Sequence, residues 1–323
     1  MRKNSKKIFN AICCFSGLLA LLAYINEKIF ENSKIDTSNE KFYNHKFGNM
    51  RYKKHGKGTP ILLIHDTVSH SGAHEWNESI RLLSKTNTVY AIDLLGYGLS
   101  DKPNVTYNGY FYTVLIKDFI ENIIGEPTTV IASGNSGNFV IMANAFSNSI
   151  IKNVILVSPK NIGDIYESPS YLNKALGIII NTPIIGTSVY NFLNSKIFLN
   201  TMEKYYFDDS KNSKFIEASY FSAHHNGANS RYSTASHFYS NFFMCDTNIH
   251  LKSFKKNIHV IWGIDDDINS INNFGKIENV NGNVTLSALK NVKSYPHLEV
   301  PKQFVKICVN KIKSITKIYS VDV

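Results

Sequence analysis

The sequence has little cysteine and no dense cluster of basic residues beyond its N-terminus. Its 323 residues include four cysteines, too few and too scattered for a disulfide framework in a chain of this length. The formal net charge is +10, yet the lysines are spread along the chain and accompany 25 acidic residues. Nothing has the pattern of a zinc finger or of another nucleic-acid module. We therefore expect no nucleic-acid partner, and we attribute the charge to solvation and to attraction toward anionic lipid.

Patterns for metals and nucleotide cofactors are also lacking. His70 and His74 have helical spacing, but no third ligand lies nearby in the sequence. The run Asp265, Asp266 and Asp267 lacks the alternation of an EF-hand loop. The glycine-rich stretch near residue 134 lacks the lysine and threonine of a Walker motif. The sequence predicts no cofactor and no metal.

The N-terminus has the features of a membrane anchor. Four basic residues in "MRKNSKK" precede an uncharged run from Ile8 to Ile25. A helix of that length spans roughly 27 Å, close to the hydrocarbon thickness of a bilayer. By the positive-inside rule, residues 1–30 anchor the chain as a single span, with the remainder on the extracytoplasmic side. A cleaved signal peptide is the competing interpretation, although Ala20 and Ala23 are too far apart for a typical cleavage site.

The rest of the chain alternates short apolar runs with helical patterns. The hydrophobic share of 43% is ample for a packed core. This alternation is typical of βαβ units and predicts a mostly parallel α/β sheet with helices on both faces. The pattern stops between residues 162 and 248, which predicts a helical cap inserted between core segments 31–161 and 249–323. The predicted strands are "PILLIH", "VYAID", "TVIAS", "VILVS", "HVIWG" and "VTLSALKNV", after a hairpin within Phe42 to His55 whose turn is predicted at the Gly-Asn pair 48–49.

The stretch "IASGNSGNF" predicts a turn that presents a serine. Gly134 and Ser136 fit the pattern G-x-S-x-G of a nucleophile held at the end of a strand, whereas Asn138 replaces the last glycine. Asn tolerates strained backbone, so the departure is mild. The turn would also aim the amide of Gly137, at a helix N-terminus, toward an oxyanion.

Other segments occur in the same order as in a known family. His65 and Asp66 close the first buried strand, Asp266 follows "VIWG", and "YPHLEVP" leads into the last helix. With "HEWNESIRLLSKTNTVYAIDLLGYGLSDKP", the "GNSG" turn and "AHHNGANSRYSTAS", these segments make residues 42–315 similar to α/β-hydrolase fold proteins of the esterase-like group, including small bacterial members with a helical cap.

The resemblance implies a hydrolase that cleaves a carboxylic ester or amide of a small molecule, and aromatic residues in the cap favour an apolar acyl group. Ser136 would attack the acyl group, and the amides of Gly137 and Thr67 would hold the oxyanion. Asp266 would orient a histidine. Asp66 stands where the family has glycine, and we expect its carboxylate to face away from the oxyanion. Arg231 and Tyr232 of the cap are candidate substrate contacts, with a brace between cap and core as the equal alternative.

The histidine itself is missing from its expected position. The family pattern G-H-x-P-H-x-E-x-P places Ser294 where the base belongs, and a serine hydroxyl is a poor proton acceptor near neutral pH. His297 could reach Ser136 by a change in the loop before it. Alternatively, the triad is broken and the protein is a silent ligand-binding or scaffold protein. A third possibility is a base supplied by another histidine, namely His70, His224, His225 or His237.

Overall fold

An eight-stranded sheet forms the centre of the protein. The computed structural model describes residues 2–147, 149–164, 167–207, 213–240 and 247–319. The strand order is β1-β2-β4-β3-β5-β6-β7-β8. Strand β2 is antiparallel to β1 and β4, and the other neighbours are parallel. The strands are β1 (Lys41–His45), β2 (Gly48–His55), β3 (Pro60–Ile64), β4 (Thr88–Ile92), β5 (Thr128–Ser133), β6 (Ile151–Val157), β7 (Ile258–Gly263) and β8 (Val284–Leu289).

The predicted hairpin is present, but its turn is not at the Gly-Asn pair. His45 pairs with Gly48, so the loop consists of Lys46 and Phe47, and Asn49 already pairs within the ladder. The sequence predicts parallel strands that are buried on both faces. In the structure, every residue of β3 and β5 is buried. Continuous apolar runs of this kind are expected of strands covered on both faces.

The helices form layers on both sides of the sheet. Alternate residues of β3 point to opposite faces: Leu62 and Ile64 join one apolar cluster, with Phe139 of α4, and Leu63 joins the other, with Phe304 of α13. The helices are α1 (Arg2–Glu31), α2 (Asn77–Leu83), α3 (Gly109–Phe119), α4 (Ser136–Phe146), α5 (Tyr171–Asn181), α6 (Ile185–Leu193), α7 (Lys196–Tyr206), α8 (Ser213–His224), α9 (Arg231–Ser240), α10 (Asn248–Lys252), α11 (Phe274–Val280), α12 (Pro296–Glu299) and α13 (Pro301–Tyr319).

Helices α5 to α9, here called the inserted helices, lie in the chain between β6 and β7. A buried lysine joins them to the core. The Nζ of Lys102 donates to the carbonyl oxygens of Gly98, at 2.8 Å, and of Ser222 and His225, at 3.3 and 2.9 Å. The last two carbonyls belong to the end of α8 and the turn after it, so one side chain fixes that turn against the loop after β4.

Helix α1 extends from the rest of the protein. Its segment Asn10–Glu31 is long and apolar enough to cross a membrane, and 6% of the apolar window within it is buried. Near its C-terminal end it contacts the rest of the chain: Asn26 hydrogen-bonds α6, and the ring of Phe30 lies 6.0 Å from that of His224. Length and composition therefore agree with the predicted anchor.

Candidate active site

The sharp turn after β5 lies at Gly134, two residues before the predicted position. Gly134 has φ +55°, in the left-handed region that favours glycine. Asn135 follows with φ −68° and ψ −22°, and Ser136 is the first residue of α4. Ser136 therefore has helical backbone, and the strained bend expected at Ser136 is absent from it. The residue at the tip of the turn has no side chain.

Ser136 and Gly137 are both engaged within the protein. Ser136 is 0% exposed, and its Oγ donates to the carbonyl oxygen of His65 at 2.5 Å. The amide of Gly137 donates to the carbonyl oxygen of Gly134 at 3.4 Å, within the first turn of α4. Asn138 uses its side-chain amide to donate to Lys160 O at 2.9 Å, so it makes a side-chain contact and does not supply strained backbone. The Ser136 hydroxyl and the Gly137 amide, predicted as nucleophile and oxyanion donor, thus both make hydrogen bonds within the protein.

Asp66 points into the site, contrary to expectation. A Cβ placed on Gly134 would lie 2.2 Å from Asp66 Cγ, so the carboxylate fills the space that a side chain at residue 134 would need. Asp66 Oδ1 accepts from the amide of Thr67 at 2.7 Å and from the amide of Asn135 at 3.0 Å. These two bonds explain the inward position, because without them the two buried amides would lack this hydrogen-bond acceptor.

These two amides correspond to an oxyanion hole. In serine hydrolases of this fold, the hole is formed by the amide after the nucleophile and by an amide of the loop after β3. With Gly134 at the tip of the turn, those amides belong to Asn135 and Thr67. The Thr67 amide therefore lies where the prediction puts a donor, and the amide beside it belongs to Asn135, whereas the Gly137 amide lies within the first turn of α4. A carboxylate oxygen of Asp66 lies between the two donors.

Lys160 completes this arrangement. Its Nζ lies 2.8 Å from Asp66 Oδ2, and the side chains are 19% and 1% exposed. Burial alone would raise the pKa of Asp66, but the charge and hydrogen bond of Lys160, with the two amide bonds, hold it below its ordinary value. Burial would lower the pKa of Lys160, and Asp66 raises it above its ordinary value. Both groups are therefore charged at neutral pH.

Asp266 keeps the position of an orienting carboxylate but holds a serine. Its Oδ1 accepts from Ser294 Oγ at 2.8 Å and from the amides of Ile268 and Asn269 at 3.2 and 2.9 Å. Asp266 is also among the charges that raise the pKa of Lys160. Ser294 therefore stands where the sequence pattern placed the missing base, hydrogen-bonded to the group that would orient it.

His297 lies in the core behind the site. Its ring stacks on Trp76 at 4.1 Å between centroids, and its Nε2 lies 3.7 Å from Glu75 Oε1. Within the part of the chain that the structure describes, neither ring nitrogen has a hydrogen-bond partner. Burial, opposed only by Asp66, lowers the pKa of His297 to about 3. The structure does not bring His297 and Ser136 together in a hydrogen bond.

Of the alternative histidines, His224 is buried and the other three are half-buried, and all four are neutral near pH 7. Burial lowers the pKa of His70, His224, His225 and His237 to about 4 in each case. His70 lines a cavity between the loop after β3 and the inserted helices, with Leu199 and Tyr295. This cavity has a volume of about 10 Å³. A water molecule needs about 10 to 15 Å³ by the same kind of measure, so this space admits no acyl group.

Arg231 and Tyr232, the candidate substrate contacts, are both engaged within the protein. The Nε and Nη2 of Arg231 donate to the carbonyl oxygen of Asn181 at 3.4 and 3.3 Å, and Nη1 donates to Ala228 O. The guanidinium lies 4.6 Å from the ring centroid of Tyr232, which packs against the apolar core. These contacts join α5, the turn before α9 and the core, and they use three of the five N–H donors of the guanidinium.

The family of the protein follows from comparison with known sequences. The profile of the alpha/beta hydrolase family matches residues 61–306. The chain belongs to this family. A curated relative from Metapseudomonas resinovorans, 2-hydroxy-6-oxo-6-(2'-aminophenyl)hexa-2,4-dienoic acid hydrolase, is 33% identical over 100 residues, which cover 30% of this chain and 33% of that protein. The chain therefore matches only about a third of that relative's length.

Solved structures show the same fold. The serine hydrolase CarC, involved in carbazole degradation, superposes with a TM-score of 0.71 at 16% identity and covers 85% of this chain and 98% of its own. A membrane phospholipase A superposes with a TM-score of 0.66 at 15% identity over 98% of this chain and 99% of its own. At these identities the likeness concerns the fold alone.

The contact between Gly134 and Asp66 generates a test by double-mutant cycle. We expect Gly134→Ala to lower the free energy of unfolding by about 2 kcal/mol or more, because the new Cβ meets the carboxylate and φ is positive. In an Asp66→Ala background that cost should fall by about 1 to 3 kcal/mol. Asp66→Asn is the matched control, since it removes the charge but keeps the shape. Additive effects in the Asp66→Ala background, measured by denaturant unfolding, would contradict the contact.

Burial of His297 predicts acid sensitivity. The pKa of His297 is lower in the folded protein than in the unfolded chain. Between pH 6.5 and about 3 the unfolded chain therefore binds a proton that the folded protein does not, and the free energy of unfolding falls as the pH is lowered. His297→Phe keeps an aromatic ring on Trp76 but removes the titration. We expect the wild type to lose up to about 1.4 kcal/mol more per pH unit than His297→Phe between pH 6 and 4. Parallel stability curves, from urea titrations in detergent, would argue that His297 is accessible to water.

Proposed function

We propose that this member of the alpha/beta hydrolase family does not hydrolyse esters or amides through a serine, and that it is a membrane-anchored binding or scaffold protein. The observation that carries the proposal is the Asp66 carboxylate, which accepts from the amides of Thr67 and Asn135. These donors would have to be free to stabilise a tetrahedral intermediate.

Three requirements of acyl transfer are unmet at once. A nucleophile is required at the tip of the turn, where Gly134 has no side chain. A base is required beside Asp266, where the Ser294 hydroxyl is a poor proton acceptor. Two free amides are required to stabilise the oxyanion of the tetrahedral intermediate, and the ionised Asp66 side chain lies at that position. Asp66 Oδ1 already accepts from both amides, so an oxyanion could not accept from them at the same time.

The serine hydrolase alternative draws support from the hydrolase names of the relatives. It requires Ser136 Oγ to leave its bond to His65 O and His297 to leave its stack on Trp76. It also requires space for an acyl group, and the cavity beside Tyr295 measures about 10 Å³. These rearrangements of buried groups make the silent alternative the better supported of the two.

The membrane part of the proposal depends on α1. Its exposed apolar side chains include Phe15, Leu18 and Tyr24, which are 55%, 52% and 58% exposed. An isolated helix of this kind would be costly to leave in water. The likeness to a membrane phospholipase A extends over 98% of this chain, α1 included, and supports the same interpretation. The basic residues before the apolar run favour a cytoplasmic N-terminus and an extracytoplasmic core.

A fluorophosphonate probe tests the silent site. We expect the full-length protein and its Ser136→Ala variant to show the same background labelling, because Ser136 is buried and has no base. An active serine hydrolase of the same fold, treated in parallel, is the positive control. Prompt labelling of the wild type that disappears in Ser136→Ala would overturn the proposal and restore Ser136 as the nucleophile.

Rebuilding the site tests the same assignment from the other direction. The combined variant Asp66→Gly, Gly134→Ser and Ser294→His empties the oxyanion hole and supplies a nucleophile and a base. We expect labelling by the probe to rise at least about a hundredfold over the wild type, the order of effect that single oxyanion donors have. The matched control carries Asp66→Gly and Ser294→His but keeps Gly134, so that Ser136 is the serine available at the turn. Labelling of that control as strong as that of the combined variant would contradict Gly134 as the nucleophile position.

A further inference from the structure

Apolar side chains are exposed on α6, which contacts α1 through Asn26, and on the neighbouring helix α5. In α5, Leu172, Ile178 and Ile179 are 69%, 58% and 43% exposed. In α6, Ile185 and Phe192 are 43% and 68% exposed. Soluble surfaces rarely gather so many large apolar residues, so this surface needs an explanation. We call it the insertion face, and it consists of Leu172, Ile178, Ile179, Ile185, Phe192 and Ile197.

The insertion face is organised by helical periodicity. Ile185 and Phe192 are seven residues apart and share one side of α6, whereas Gly186 and Tyr190 are buried on the other. Leu172 and Ile179 have the same spacing in α5, where Gly177 is buried. Each helix therefore has one side that packs against the protein and one apolar side that faces outward.

Helix α1 fixes this face at the end of the proposed membrane span. Asn26 directly follows Ile25, the last residue of the uncharged run. Its Nδ2 donates to Ser188 Oγ at 3.0 Å, and its Oδ1 accepts from Asn191 Nδ2 at 3.0 Å. Since a helix rises 1.5 Å per residue, α6 lies within about one turn of the level at which the apolar run ends. A bilayer that contains α1 must come close to α6.

The charges of this region suit an anionic lipid surface. The sequence has no aspartate or glutamate between Glu167 and Glu203, a stretch that includes all of α5 and α6. It does contain Lys174 and Lys196, which are both exposed. The Nζ of Lys174 lies 5.8 Å from the ring centroid of Tyr171, which is 91% exposed. Lysine and aromatic residues beside an apolar helix face are typical of helices that lie in the membrane interface.

We propose that the insertion face rests in the headgroup region of an anionic phospholipid bilayer, the same bilayer that contains α1. The inserted helices would then be a second, peripheral membrane contact that holds the hydrolase-like core in one orientation. This inference depends on the anchor in the proposed function, and it goes beyond it by assigning a surface and its partner. A second copy of this chain is the competing occupant.

Depth measurements with spin labels test the proposal in the full-length protein. Single cysteines for labelling are introduced by Phe192→Cys and Leu172→Cys, in a background without the four native cysteines. The protein is reconstituted into vesicles of phosphatidylcholine and phosphatidylglycerol. Ile249→Cys is the matched control, because Ile249 is 71% exposed, like Phe192 at 68%, but lies on α10, which packs against α4 and α11. Leu18→Cys reports on the anchor itself.

Oxygen concentrates in lipid, whereas a nickel complex stays in water. For labels at Phe192 and Leu172, we expect the ratio of the collision rate with oxygen to that with nickel to be at least about threefold higher than for the Ile249 label. A Phe192 label as accessible to nickel as the Ile249 label would overturn the proposal. If the Leu18 label is nevertheless in lipid, the anchor stands and only the surface contact fails. If the Leu18 label is also in water, the anchor itself fails. A Phe192 label shielded from both reagents would indicate a second copy of the chain, and would also overturn the proposal.

Discussion

The carboxylate of Asp66 is the group on which the arrangement of this site depends. It satisfies two buried amides, forms an ion pair with Lys160 and fills the space beside Gly134. A buried carboxylate without such partners would be strongly disfavoured, and removal of one partner from a buried pair typically costs about 3 to 5 kcal/mol. The polar groups around Asp66 are therefore hydrogen-bonded to one another. The Asp66 carboxylate carries a permanent negative charge at the position where an enzyme would form its transient oxyanion.

Under the proposed function, this arrangement lets a hydrolase-like frame persist without acyl transfer. Asp266 still receives two amide bonds and orients the residue at position 294, although that residue is a serine. Glu75 still accepts from the amide of Asp66 and stays buried against His297. These contacts stabilise loops at the ends of β3, β7 and β8 whether or not acyl transfer occurs. The fold needs these groups for packing, so their presence is weak evidence for catalysis.

The fold was predictable from the sequence, whereas the geometry of the turn was not. Continuous apolar strands such as "PILLIH" and the spacing from "VIWG" to Asp266 identify the sheet and the position of Ser294. The turn is ambiguous, because small residues flank both Ser136 and Gly134, and only the backbone φ shows which of them is at its tip. Nor could the sequence show that Asp66 faces inward, since that depends on Lys160, which is distant in the chain and adjacent in space.

The most direct measurement of the central claim is an experimental structure of the full-length protein that resolves individual carboxylate oxygens. The account predicts Asp66 Oδ1 within hydrogen-bond distance of both the Thr67 and Asn135 amides, with Lys160 on the other oxygen. An Asp66 side chain turned away from Gly134, with water bound to both amides, would contradict it and would leave an open oxyanion hole.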